Sequence, residues 1–187
     1  MIVVGSPGSG KDELVRAVNR LGRQHAEVVP KHTDRARNKK KDGKEMICPG
    51  DRGFALEACD LVYENFGSRY GIQTRRIWAG LRSGVFQVAV VSNVSAINNL
   101  RRTFGELVVL VYVHSEVTPD QYRTLETCSG YGKQYVESRA RKYRMAFDAY
   151  LENYLAFDHV FIYVKGAEED LYDQIFRAFR AYERGLL

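Results

Sequence analysis

The chain has 187 residues, enough for one domain of roughly 100–200 residues with a full core. No window approaches the ~18 consecutive apolar residues of a membrane span, and Met1 leads straight into an apolar run, so no leader is expected. Cys48, Cys59 and Cys128 are odd in number and in no C-x-x-C spacing. They argue against a disulfide framework or a zinc site and for a reduced, cytoplasmic protein. The net charge of +5 sits in one place. Between Lys31 and Lys44 seven basic residues stand against Asp34 and Asp42, which leaves the rest of the chain neutral. A local basic segment in a neutral protein points to one dedicated anionic partner rather than general adhesion to nucleic acid.

In chain order, Ile2-Val3-Val4 reads as a strand, Gly5-Ser6-Pro7-Gly8-Ser9-Gly10-Lys11 as a glycine-rich turn, and Asp12 to about Arg23 as a helix. Leu14, Val15, Val18 and Leu21 lie on one face of that helix. This order turns G-x-x-x-x-G-K into a mechanism. Glycines let successive backbone N–H groups approach a polyphosphate, the helix N-terminus adds partial positive charge, and Lys11 adds a full one. Gly5 to Asp12 is therefore the expected ATP site. Its one irregularity is Asp12, where the pattern carries a Ser or Thr for Mg²⁺.

Ala26–Val29 reads as a short strand ended by Pro30, and the basic segment after it as an irregular loop. Phe54–Cys59 is expected as a short helix, and Leu61–Phe66 with Arg69–Ile72 as a hairpin around Gly67-Ser68. A helix carrying Ile77, Trp78 and Leu81 ends at Gly84. Val85–Val91 and Leu107–Val113 are apolar throughout, the mark of strands buried on both faces of a parallel sheet, with a helix from Ser95 to about Phe104 between them. Thr118–Glu126 reads as helix, roughly Tyr135–Tyr154 as a long helix, His159–Val164 as a last buried strand and Glu168–Arg184 as an amphipathic helix. Alternating strands and helices predict an α/β P-loop fold: a mostly parallel sheet with helices on both faces and the P-loop at the carboxyl end of the first strand.

From the basic segment onward the sequence resembles the guanylate kinase family of P-loop nucleotide kinases. Besides the P-loop, the likeness is carried by Lys31-His32-Thr33-Asp34-Arg35, similar to the family's S-x-T-T-R motif, and by Tyr70-Gly71, like its Y-G. Arg139 in the helix after a Gly-containing stretch and Phe157-Asp158-His159-Val160 complete it. The resemblance implies a single domain over residues 1–187, with an acceptor-binding insertion at about 31–72 and a helical lid at about 116–139. It implies transfer of the ATP γ-phosphoryl group, with Mg²⁺, to a phosphate of a small acceptor. Lys11, Arg35 and Arg139 would be the catalytic cations. Arg35 would hold the acceptor phosphate, Tyr70 would donate its hydroxyl to it, and Arg139 would bridge the two sets of phosphates, with Arg123 and Arg141 as further lid candidates. Lys31, Thr33 and Ser92 join the acceptor site, and Arg37 or Lys39 takes the place of the second motif arginine, because Asn38 stands at its spacing.

Three departures bear on the substrate. The family's phosphate-binding tyrosine falls on Met46, its guanine-reading glutamate on Leu61, and its strand-end D-x-D on Val90-Val91-Ser92, followed by Asn93. Glu64 replaces the glutamate only in a shifted register. Asp12 is the candidate Mg²⁺ ligand, standing in for the P-loop hydroxyl and the missing carboxylates, because hard cations favour carboxylate oxygens; the simpler role is a helix-dipole partner. Asp12 with Ser92-Asn93 also looks like the ribose 1,5-bisphosphate phosphokinases. The acceptor is thus a nucleoside monophosphate or, alternatively, a sugar phosphate. A binding module that has lost catalysis is a further reading. A nucleic-acid patch is disfavoured, since Lys31–Lys44 lacks aromatic residues and helical spacing. Of the histidines, only His32 lies within a motif; His114 and His159 read as packing residues.

Overall fold

The computed structural model describes residues 1–5, 9–38, 42–91, 93–115, 120–121, 123–124 and 132–185. Five strands form the main parallel sheet in the order β2-β7-β1-β8-β9. These are β1 (Ile2–Gly5), β2 (Ala26–Val28), β7 (Phe86–Val90), β8 (Leu110–Ser115) and β9 (His159–Tyr163). A second sheet, built entirely between Lys31 and Ile72, has the order β4-β3-β6-β5, from β3 (Lys31–Thr33), β4 (Met46–Ile47), β5 (Leu61–Asn65) and β6 (Ser68–Ile72). The helices are α1 (Lys11–Leu21), α2 (Thr74–Arg82), α3 (Val94–Phe104), α4 (Lys133–Glu152) and α5 (Glu168–Glu183). None of the described helices is long and apolar enough to cross a membrane. The α/β reading of the sequence holds.

The chain divides into two compact units. One comprises Met1–Ile2 and Val18–Val108. In it β2 and β7 pair in parallel, Val28 beside Val88, and Ala89 donates its N–H to the Met1 carbonyl. Ile77, Val88, Ile97, Leu100 and Phe104 are buried, and Trp78 packs on Phe104 with ring centroids 4.8 Å apart. The small sheet belongs here. The basic segment is not loop throughout, as the sequence suggested: Lys31, His32 and Thr33 pair antiparallel with Ile72, Gly71 and Tyr70. A three-residue strand inside a charged stretch shows no alternation long enough to read, so the pairing partner decides it. The expected helix at Phe54–Cys59 is one 3₁₀ turn, Leu56–Ala58, lying on β6.

The other unit comprises Val3–Ala17 and Val109–Leu187. Leu14, Val111, Val113, Leu171 and Ile175 are fully buried in it. Against β8 lies an aromatic cluster in which Tyr112 stacks on Tyr150 (3.9 Å between centroids) and Phe157 meets Tyr112 edge-on (5.4 Å). His114 packs on Phe147 (5.9 Å) in the same cluster, and His159 bonds the Tyr182 hydroxyl (2.7 Å), so both histidines are packing residues as expected. Asp158 accepts the Leu110 N–H (2.6 Å) and returns its own N–H to the Leu110 carbonyl (2.8 Å), which locks the start of β8 to β9. One expectation is corrected. The strand at His159 is not buried on both faces: Val160 and Ile162, on one face, are about 40% exposed while Phe161 on the other is buried. Among the described strands β9 is the sheet's edge, with one strand neighbour. Its open side is blunted at Ile162, whose N–H and carbonyl are both bonded by the Gln174 side-chain amide (2.9 Å each).

Tyr70-Gly71 has a packing reason. A Cβ on Gly71 would stand 2.7 Å from Cys59 Cβ and 2.8 Å from both Cys59 Sγ and Leu56 Cδ1. The 3₁₀ turn can lie flat on β6 only because position 71 has no side chain. Gly71→Ala is expected to cost about 1–3 kcal/mol through overpacking, read as a lower midpoint in urea unfolding.

Candidate functional site

The candidate P-loop begins where β1 runs out. Gly10 has a left-handed φ of +88°, and its carbonyl accepts the Leu14 N–H (2.9 Å), the bond that opens α1. Ser9 and Gly10 are buried, and the half-buried Lys11 turns its ammonium back to Ser9 Oγ (3.5 Å). This strand–turn–helix is the context the G-x-x-x-x-G-K spacing requires. Ser6, Pro7 and Gly8 lie outside the described residues. Asp12 and Glu13 fill the first turn of α1, where negative charge suits the helix dipole, and Asp12 is exposed. Glu13 is held by Arg16 and by the Tyr172 hydroxyl (3.1 Å).

Tyr163, at the end of β9, lies against this turn, a neighbour the sequence did not disclose. Its hydroxyl donates to Glu168 Oε1 (3.2 Å). Burial, with the Glu168 carboxylate beside it, pushes that hydroxyl up to about 12. Arg139 is half-buried on α4, close enough to Lys142 that burial and then Arg139 lower the Lys142 ammonium below its ordinary value. Arg123 donates to Asp120 (2.6 Å) and pairs with Glu137 of α4 (3.4 Å). Most of the expected lid between 116 and 131 lies outside the described residues.

On the small sheet, Lys31, Arg35 and Tyr70 come together. The Lys31 ammonium donates to the Val90 carbonyl (2.8 Å) and lies 5.5 Å from the centre of the Tyr70 ring, a cation–π contact. Tyr70 stacks on the buried Tyr63 (5.6 Å), and Arg35 also bonds its hydroxyl. Thr33 is fully buried and accepts the Arg35 N–H (3.4 Å), so it shapes the turn after β3. His32 is buried too. Its Nδ1 accepts the Ala55 N–H (3.2 Å), which assigns the proton to Nε2, and burial, then Arg76, lowers its pKa. It fastens the 3₁₀ turn to β3.

The arginines are not bare. Arg35 grips Asp42 with two bonds (2.8 and 2.6 Å), and Asp42 also accepts the Asn38 N–H (2.7 Å). Arg37 bonds both oxygens of Asp51 and the Met46 carbonyl. Asp34, where the family motif has a threonine, takes the Arg69 N–H (2.9 Å) and Nε (3.1 Å). No spacing rule links Arg35 to Asp42 or Arg37 to Asp51 in an irregular loop, so these partners were not legible beforehand. Lys39 lies outside the described residues.

The register of the hairpin bears on the expectation for Glu64. Tyr63 pairs with Tyr70 and Leu61 with Ile72, while Glu64 pairs with Arg69. Successive strand residues face opposite ways. Glu64 is therefore exposed on the face away from Tyr70, and the shifted register that would bring it to the acceptor does not occur. Leu61, where the sequence comparison put the guanylate kinase family's guanine-reading glutamate, is buried. Asn93, in place of a strand-end carboxylate, caps α3 by accepting the Ala96 N–H (3.0 Å) and donates to the Glu64 carbonyl (2.9 Å). An aspartate could make the first bond but not the second. Ser92 lies outside the described residues.

Neither a protein-family model nor a curated protein sequence matches the chain. A solved structure does: guanylate kinase from Anaplasma phagocytophilum aligns over 97% of this chain and 85% of that one, with a TM-score of 0.66 at 19% identity. The fold is guanylate kinase-like. The similarity extends through the small sheet and α4, not the P-loop core alone, in keeping with the order of motifs in the sequence.

Asp42 makes the basic loop sensitive to acid. Burial alone would raise its pKa, but the Arg35 bonds, the Asn38 N–H and the nearby arginines pull it below the ordinary range. A depressed carboxylate stabilises the fold above its unfolded value near ~4 and loses that contribution as pH falls through the lower folded value. Between pH ~4 and ~2, wild-type protein should lose more unfolding free energy than Asp42→Asn, measured by urea melts at each pH.

Proposed function

We propose that this protein is an ATP- and Mg²⁺-dependent phosphotransferase that moves the γ-phosphoryl group to a phosphate of a small acceptor. The observation that carries the reading is the P-loop: a buried Ser9-Gly10 turn between β1 and the first turn of α1, with Lys11 folded back over it. Backbone N–H groups at the start of α1 and the Lys11 ammonium hold the β- and γ-phosphates. Asp12 suits Mg²⁺ as a single exposed carboxylate one residue beyond Lys11. That ion takes one or two protein oxygens and completes its shell with phosphate oxygens and water. When bound, Mg²⁺ supplies charge neutralisation at the transferring phosphoryl group.

The acceptor site is assigned to the insertion at about 31–72, with Lys31, Arg35 and Tyr70 as its phosphate-facing groups and Arg37 beside them. Arg139 of α4 is the lid cation that meets the charge developing between the two substrates, a task arginine suits through its paired donors. Guanine is disfavoured as the acceptor base. Leu61 offers no acceptor for its N1–H, and Glu64 faces away. The same observation favours a second reading, a sugar phosphate of the ribose 1,5-bisphosphate type, as the acceptor.

The deciding measurement is ADP release by purified protein with Mg²⁺ against nucleoside monophosphates and ribose 1,5-bisphosphate. One acceptor should stimulate release well above the ATPase background. Lys11→Ala should lower kcat/KM by about 10²-fold or more, Arg35→Ala should raise the acceptor KM, and Asp12→Asn should raise the Mg²⁺ concentration needed for half-maximal rate. No stimulation by any acceptor would sink the phosphotransferase. Tight peptide binding without ATP binding would replace it with the interaction-module reading.

A further inference from the structure

Gly10 is backed by a side chain that no motif announces. A Cβ built on Gly10 would stand 2.4 Å from Tyr163 Cγ, 2.8 Å from Cδ1 and 2.9 Å from Cβ. The ring therefore lies directly on the Gly10 backbone, an approach only a residue without a side chain allows. The far end of the ring is tied down, since its hydroxyl donates to Glu168 Oε1 (3.2 Å). That same oxygen accepts the Gly166 N–H (3.1 Å), in the turn that joins β9 to α5. A second bond, from the Tyr172 hydroxyl to Glu13 (3.1 Å), fastens α5 to the first turn of α1. The turn and the helix entry are thus met at two points, Gly10 by the Tyr163 ring of β9, itself tied to Glu168 of α5, and Glu13 of α1 by Tyr172 of α5.

Glycine has no side chain with which to anchor itself and loses more conformational freedom on ordering than any other residue. A loop that must present its N–H groups to a polyphosphate binds better when that ordering is already done. We propose that Tyr163 is the positioning residue of the P-loop: its ring backs Gly10 and holds the Gly10–Lys11 backbone in the conformation that receives a nucleotide's phosphates. The proposal rests on the nucleotide reading above. Tyr163 acts through Gly10 and need not touch the reacting atoms.

The test is calorimetric binding of ATP with Mg²⁺, and separately of inorganic tripolyphosphate, to wild-type, Tyr163→Ala, Tyr163→Leu and Tyr163→Phe proteins, with thermal unfolding recorded for each. Tyr163→Ala should weaken both ligands by about tenfold, and Tyr163→Phe, which keeps the ring, should restore both to within about twofold of wild type. Weaker ATP binding with tripolyphosphate binding intact would overturn the proposal, because the ring would then serve the base and not the loop. Unchanged ATP binding by Tyr163→Ala would also overturn it and leave the nucleotide reading standing. Absence of ATP binding by the wild-type protein would overturn that reading, and this proposal with it. Should Tyr163→Ala fail to fold, Tyr163→Leu is judged by the same criteria, since it keeps bulk without a flat ring.

Discussion

The chain enters α1 from β1 through a turn whose last residue, Gly10, holds a φ of +88°. A residue with a side chain meets both a steric penalty in that conformation and, here, the ring of Tyr163. The turn does several things at once. Its carbonyl opens the helix at Leu14, its neighbour Ser9 is buried, and Lys11 is brought back over it. A parallel strand followed directly by a helix leaves the helix's first N–H groups without intrahelical partners at the strand's carboxyl end. That is where an anion is best received, because those groups and the helix dipole point the same way.

The basic segment obeys a different constraint. Seven positive charges between Lys31 and Lys44 would repel one another if left to solvent and salt alone. Among the described residues, two of these charges are paired, Arg35 with Asp42 and Arg37 with Asp51, while Asp34 of the segment goes to Arg69 of β6. Lys31 is spread over the Tyr70 ring and a strand-end carbonyl. Among the described residues of the segment, Lys31, Arg35 and Arg37 are thus held by charge-assisted bonds beside a four-stranded sheet. Guanidinium groups suit such an arrangement because Arg35 and Arg37 can each donate two bonds to one carboxylate in a fixed geometry.

Much of the fold was legible in advance for a simple reason. Long elements carry their own periodicity, so α1, the helices at Ile77 and Ile97, the strands at Val88 and Val111 and the terminal helices all fall near their expected places. Short elements do not. β3 and β4, with three and two residues, exist because β6 and β3 offer them hydrogen-bond partners. β9 reads as fully buried because its residues are apolar, yet among the described strands it is the sheet's edge, and Val160 and Ile162 on one of its faces are exposed. Nothing in a run of apolar residues distinguishes the middle of a sheet from its rim.

The candidate site divides along the same line. The amino-acid sequence by itself made the G-x-x-x-x-G-K turn and its odd Asp12 legible, since each is a residue type at a fixed offset from a local element. The proposed acceptor roles of Lys31, Arg35 and Tyr70 and the place of Leu61 came from the resemblance to guanylate kinases. Tertiary structure alone decided that Glu64 faces away from Tyr70, that Asn93 ties α3 to β5, that Arg35 and Arg37 are held by Asp42 and Asp51, and that Tyr163 lies on Gly10. Those contacts depend on strand register and on residues far apart in the chain. Register flips a side chain to the other face with a one-residue slip, and no local spacing encodes which distant residue arrives opposite.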